Sequence, residues 1–331
     1  MVGRRAYTAL ACQFLLLFVN AGLPFAHTNT FFFFRWYLPD PEVMENVTEI
    51  IRSHGYDTQE HTVETRDGYI LCLIRMRNLE RMPKGNFGTF CIQVATQVVS
   101  NSLMMRGCQI ALAQFSRNPE LQSRVGVFIA LAPAAFLGHV TSPVRVIAHY
   151  ARTLENVWDL FGHGEFFPSS QLVRFLSQWL CRYSRVPWVC KNVIFLFAGF
   201  DEGNTNMTRL PVYLAHTPAG TSVRNIVHYC QAMTSDRFQQ FDYGEAINME
   251  KYGQETPPEY DLSTFNVSTF LYHGGNDWLA VVTDVNKLVS HIQQTVIKRY
   301  LLPSYNHLDF VWALDAADLV YPTVLKHLLE N

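Results

Sequence analysis

The 331-residue chain has no surplus of either charge: 26 lysines and arginines stand against 28 aspartates and glutamates, a formal net charge of -2. Such a balance offers no field to a polyanion, which excludes nucleic acid as an expected partner. Past the N-terminus no apolar run reaches the roughly 20 residues that a membrane-spanning helix needs. The 12 histidines and seven cysteines show no metal-ligand spacing, so no metal or other cofactor is implied. What the sequence has in quantity is apolar bulk. Phenylalanine (24), tyrosine (15) and tryptophan (6) make up 14% of a chain that is 49% hydrophobic, which argues against disorder and for a large core or an apolar pocket.

At the N-terminus, Arg4 and Arg5 precede an almost unbroken apolar run over residues 9–19, and Ala21 or Ala26 offers a small residue for cleavage. This is the pattern of an export signal occupying residues 1–26. An uncleaved anchor is the alternative, because residues 31–34 are all phenylalanine, but His27, Thr28, Asn29 and Thr30 separate the two stretches. Cleavage is favoured, and it leaves a mature chain expected to be soluble. Export also gives meaning to the Asn-x-Ser/Thr tripeptides that begin at Asn46, Asn206 and Asn266, as glycan acceptors. Cys12 departs with the signal. Cys181 and Cys190 close a short local loop and form the best candidate disulfide in an oxidising compartment, whereas Cys72, Cys91, Cys108 and Cys230 read equally well as buried thiols.

The rest of the chain has the organisation of an α/β protein. "HTVETRDGYILCLIRM" gives two strand-like runs around an Asp67-Gly68 turn. "RVGVFIALAP" and "VSTFLYHGGND" are short strand-like runs ended by Pro133 and by Gly274-Gly275. Between them lie helical stretches, prolines and aromatics with little strand periodicity, which predicts a helical cap over 139–264 inserted between core segments 27–138 and 265–331. Thr283 is placed to cap a helix whose Val285, Leu288, Val289 and Ile292 share one face. "VIKRYLLP" follows as a strand and "SYNHLDFVW" as a loop.

Asp277 and His307 therefore sit just beyond two successive strands separated by one helix, so in a parallel sheet both emerge at the carboxyl edge, where sites form. Taken singly, they read as a turn aspartate and a loop histidine. Together, in that order, they read as the last two members of a Ser…Asp…His constellation. The missing member belongs near "VVSNSLMMRGCQIALAQFSRNPEL", which begins like a buried strand, turns near Ser102, Met104, Met105 and Gly107, and continues as an amphipathic helix. A nucleophile at such a turn is normally carried by G-x-S-x-G, and that pentapeptide is absent.

Five stretches carry a family likeness: "NVTEIIRSHGYDTQEHTVETRDGYILCLIRM", "FIALAPAAFLGHVTSP", "AGFDEGNTNMTRLPVYLAHTPAGTSVRNIVHYCQAM", "YHGGNDWLAVVTDV" and "YNHLDFVWALDA". They closely resemble the acid lipases, the family of gastric and lysosomal acid lipases. The resemblance implies an α/β-hydrolase core, mostly parallel, with a helical cap over an apolar pocket. It also implies action on acylglycerols or cholesteryl esters at a lipid interface, in a secreted or lysosomal setting. It matches Asp277 and His307 to the triad aspartate and histidine, and Cys181 with Cys190 to a short-loop disulfide. Laid without gaps on the family's nucleophile helix, Met105 takes the serine position. A three-residue insertion instead makes Ser102 the serine, without either glycine.

The interval before that helix is also too short. An oxyanion strand and loop, two helices and two further strands need on the order of 65 residues, and residues 76–104 supply 29, without the oxyanion His-Gly the resemblance implies. The resulting expectation is a lipase-like ester hydrolase by descent that is catalytically impaired as written. The alternatives are an inactive lipid-binding or decoy protein, and a chain shortened by an abrupt join such as exon skipping or a faulty gene model.

Overall fold

The computed structural model describes residues 40–64, 70–77, 101–150, 165–166, 195, 197–200, 203–216 and 221–330. The chain separates at Pro41 into units 1–41 and 42–331, and the second holds every element below. The export signal, Cys12, Cys91, Cys181 and Cys190 lie outside the described residues, as does the side chain of Cys72.

Helix α1 (Val47–Ser53) is opened by a reciprocal cap. The Asn46 side-chain oxygen accepts from the Glu49 amide at 2.9 Å, and the Glu49 carboxylate accepts from the Asn46 amide at 2.7 Å. Strands β1 (Asp57–Glu64) and β2 (Ile70–Arg77) then pair antiparallel, in register from Asp57 opposite Arg77 to Glu64 opposite Ile70. The intervening residues 65–69, with the expected Asp67-Gly68 turn, lie outside the described residues.

Helix α2 (Asn101–Arg117) and the short α3 (Pro119–Ser123) lead into β3 (Phe128–Leu131). Sequence reading places an abrupt turn over Ser102 to Gly107, but the structure corrects this: those residues are already inside α2. A strained elbow needs glycine for close backbone approach. Residues 101–106 contain none and take the helix instead. From Cys108 onward, Ala111, Leu112 and Phe115 recur at helical spacing and are buried against β3 and its neighbour.

The main sheet is parallel, in the order β3-β6-β7, with β6 (Thr269–Gly274) at its centre and β7 (Val296–Leu302) at one side. Every residue of β6 is buried, as expected for a parallel strand covered on both faces. Leu271 points into a cluster with Leu112, Phe115, Phe128, Phe265, Leu288 and Ile292. Phe270 and Tyr272 point the other way, among Tyr305, Phe310, Val320 and Val324. Helices α9 (Asp309–Trp312), α10 (Ala316–Leu319) and α11 (Tyr321–Glu330) supply that second face, so the expected loop after β7 holds a short helix as well. Among the described residues no strand pairs with the outer edge of β3, although the Cys108 thiol lies 3.8 Å from the Leu131 carbonyl.

The described residues between β3 and β6 include four helices, α4 (Val144–Ala148), α5 (Leu210–His216), α6 (Val223–Ser235) and α7 (Glu245–Tyr252), with a two-residue pairing of β4 (Glu165–Phe166) and β5 (Thr221–Ser222). Val223, Val227, Cys230 and Met233 of α6 pack with Ala134, Leu137, Leu279 and Val285. Cys108 and Cys230 are free and buried, and burial pushes their thiols up to about 12 and about 11. Helix α8 (Val282–His291) follows β6, with Val285, Leu288 and Ile292 buried as its periodicity requires. Thr283 is not its cap. Asp277 has already turned the chain by accepting the Leu279 and Ala280 amides, and the helix starts two residues earlier, after an extended Val281.

Candidate active site

The site forms where the loops after β6 and β7 meet. Gly274 and Gly275 permit the meeting. A Cβ on Gly274 would fall on the Tyr305 carbonyl oxygen, and one on Gly275 on that of Pro303. Backbone atoms cannot yield as a side-chain tip can, so Gly274→Ala should cost about 1–3 kcal/mol, the usual range for overpacking. Chemical denaturation of the variant measures this, and an unchanged midpoint would show that the two loops are not held in contact.

With the loops in contact, Asp277 and His307 pair. The His307 Nδ1 lies 2.8 Å from Asp277 Oδ2, with both side chains buried. The other carboxylate oxygen accepts from the Leu279 and Ala280 amides at 2.8 and 2.7 Å. A carboxylate receiving three N–H groups fixes the histidine tautomer: Nδ1 carries the proton and Nε2 the lone pair. That Nε2 is buried and has no hydrogen-bond partner among the described residues. An imidazole held in this way is shaped to take a proton from a neighbouring hydroxyl and return it.

The structure does not bring a nucleophile into view. Ser102 and Met105 lie near the start of α2, and their side chains are outside the described residues. The three glycan acceptors are described. Asn46 and Asn266 are exposed, and Asn206 is half-buried. Asn206 Oδ1 accepts from the Thr208 amide and hydroxyl at 3.1 and 2.6 Å.

Sequence reading missed the residues that join the two loops to a third segment. The Ala198 carbonyl accepts from both the Trp278 and His307 amides, each at 3.3 Å. Asn306 donates from Nδ2 to the Gly199 carbonyl at 3.0 Å, and Asn276 donates to the Phe200 carbonyl. The only signal for them was their place inside "AGFDEGN", "YHGGNDW" and "YNHLDF".

One histidine cluster also escaped sequence spacing. His139, Asp236 and Asp284 place candidate ligand atoms within 4.8 Å of one another. The cluster is already internally compensated. His139 donates from its amide and lies 2.7 Å from Asp284 through Nδ1, while Lys287 Nζ sits 2.7 Å from Asp236 Oδ2 and supplies the positive charge. His273, on β6, is fully buried and accepts at Nε2 from the Arg299 Nε at 2.6 Å. Burial first, and the guanidinium second, push it down to about 4.

Comparison with known proteins adds to this geometry. A family model described as "Partial alpha/beta-hydrolase lipase region" matches residues 47–93. The chain is 32% identical to "Lysosomal acid lipase/cholesteryl ester hydrolase" of Homo sapiens over 367 aligned positions, covering 87% of this chain and 91% of that protein. It is 38% identical to "Gastric triacylglycerol lipase" of Rattus norvegicus over 227 positions, covering 68% of this chain and 57% of that protein. Since 87% of 331 residues is about 288, about 79 of the 367 positions have no residue in this chain. The interval 76–104 falls short of the roughly 65 residues expected there by about 36, less than half of those 79 positions. Among solved structures, an alpha/beta hydrolase fold protein from Nakamurella multipartita aligns at 12% identity with a TM-score of 0.35, over 66% of this chain and 63% of that one, a likeness too weak to add to the sequence relationship.

Proposed function

The chain belongs to the acid lipase family of α/β-hydrolases, and from that membership we propose that it descends from a hydrolase of neutral-lipid esters, triacylglycerol or cholesteryl ester, and has lost turnover. Asp277 and His307 are its charge-relay pair. In a complete site of this kind, His307 takes the proton of a serine hydroxyl as the serine attacks the ester carbonyl. The imidazolium, stabilised by Asp277, then protonates the leaving alcohol, and water releases the fatty acid by the reverse relay. Residues 139–264 form the cap over an apolar pocket, between core segments 27–138 and 265–331. The observation that carries the reading is the buried 2.8 Å pair, whose Nε2 has no partner among the described residues, in a chain without G-x-S-x-G.

A fluorophosphonate probe, which marks only serines activated by such a relay, tests the proposal. No labelling is expected in the native chain, and labelling at Ser102 would overturn the loss of turnover. A second reading, a lipid-binding or decoy protein that keeps cap and pocket, is favoured by the roughly 79 missing positions. Transcript sequence across the codons for residues 76–107 separates it from an abrupt join, because an intact nucleophile exon there restores the enzyme.

The same proposal places the protein in the secretory or lysosomal lumen. Expressed in a secretory host, the chain should lose residues 1–26, carry glycans at Asn46, Asn206 and Asn266, and join Cys181 to Cys190. At Asn46 and Asn206 the contacts engage Oδ1, the oxygen, leaving the Nδ2 that a glycan modifies. Peptide mapping without reduction checks all three, and an unglycosylated full-length chain with both thiols free would refute the placement.

A further inference from the structure

Three segments distant in sequence converge on the relay pair, and one buried side chain, Asn306, ties two of them together. It is fully buried, and each polar group at its end is used. Oδ1 accepts from the Leu308 amide at 2.7 Å and the Asp309 amide at 3.1 Å, which turns the chain into α9 immediately after His307. Nδ2 donates to the Gly199 carbonyl at 3.0 Å. The Asn306 backbone amide donates to the Asp309 carboxylate at 2.6 Å, closing the turn from the other side. The segment to which it is tied is the one whose Ala198 carbonyl receives the amides of Trp278 and His307. Gly199 sits at φ +111, and a Cβ there would fall on the Asn276 carbonyl. Residues 198–199 are thus wedged against both loops.

We infer that Asn306 is a positioning residue: by anchoring the post-β7 turn to the Gly199 carbonyl it holds the His307 ring in the orientation that meets Asp277. The inference rests on the reading of Asp277 and His307 as a relay pair. The geometry explains why an asparagine is required. The position needs two acceptor contacts to backbone amides and one donor contact to a backbone carbonyl, from a single short side chain with no charge to bury. Alanine supplies none of these. Serine keeps an acceptor for the turn amides and, one atom shorter, does not reach Gly199, so it cuts the tether while leaving the turn.

The Nδ1 proton shared between His307 and Asp277 provides a readout that a purely structural role would not move. In the native full-length protein, with nitrogen-labelled histidine, it should give one far-downfield proton resonance and the nitrogen shifts of the Nδ1-protonated tautomer. That resonance should be lost in His307→Gln, which assigns it. In Asn306→Ala it should broaden or vanish and the tautomer signature should become mixed. Asn306→Ser, the milder variant should alanine fail to fold, should show the same loss of the downfield signal with the turn into α9 preserved. If both variants kept the resonance and merely melted earlier, Asn306 would be a stability residue and the inference would fail. If the native protein itself lacked the resonance, the relay-pair reading would fail instead.

Discussion

Purified from a secretory host, the protein should hydrolyse triacylglycerol and cholesteryl ester emulsions no faster than its own His307→Ala variant. Asp277 and His307 are assembled, but a relay pair accelerates nothing without a nucleophile within hydrogen-bond reach. Methionine, which takes the serine position in the gap-free alignment, has no proton to give and cannot form an acyl-enzyme. Removing only the nucleophile from a complete serine hydrolase leaves roughly a thousand- to ten-thousand-fold residual catalysis, which comes from substrate binding and the oxyanion hole. Here the sequence also lacks room for the oxyanion strand and loop, so that remainder should vanish too. In a working lipase His307→Ala would abolish turnover. In this chain it should change nothing. Hydrolysis above the control, lost on both Ser102→Ala and His307→Ala, would show that Ser102 is the nucleophile and that another part of the sheet supplies the oxyanion donors.

The second large effect concerns acid. His273 lies in the middle of the sheet with no exposed surface, its Nε2 facing the Arg299 guanidinium and its Nδ1 without a hydrogen-bond partner among the described residues. Its value of about 4 in the folded protein lies well below that of an ordinary histidine. The unfolded chain, near 6.5, therefore binds a proton that the folded chain refuses. Stability from this group is fully present above about pH 6.5 and is lost as pH falls towards 4, by a total on the order of 3 kcal/mol. Urea unfolding at neutral pH and at the acid end of that window should show the loss. His273→Gln, which keeps an acceptor for Arg299, should shrink it. An equal acid loss in the variant would assign it to other groups. A core histidine of this kind ties the stability of the sheet to pH.

Much of this architecture was legible in the sequence because it is written in local signals. The apolar runs that became β3, β6 and β7 are each ended by proline or glycine, and the α8 face repeats at helical spacing. Asp277 and His307 stood out as acid and base beyond adjacent strands. What could not be read depends on contacts between distant residues. Nothing in "AGFDEGN" announces that the Ala198 carbonyl will receive two amides from elsewhere, because every amino acid has a carbonyl. Helix α2 begins earlier than its pattern suggested because residues 101–106 hold neither glycine nor proline, and the single Gly107 costs a helix only about 1 kcal/mol. Thr283 was displaced as a cap by a carboxylate six residues before it, acting through the Leu279 and Ala280 amides.

The outer edge of β3 has a consequence beyond this fold. A strand edge without a described partner presents amides and carbonyls at fixed spacing, and any extended peptide can complete them, including the same edge of another copy. Natural sheets guard such edges with lysine, proline or a bulge, and "FIAL" has none of these. Chaperones that bind extended apolar peptide would compete with self-association for that edge. The yield of folded protein would then depend on expression level and chaperone supply more steeply than on folding free energy.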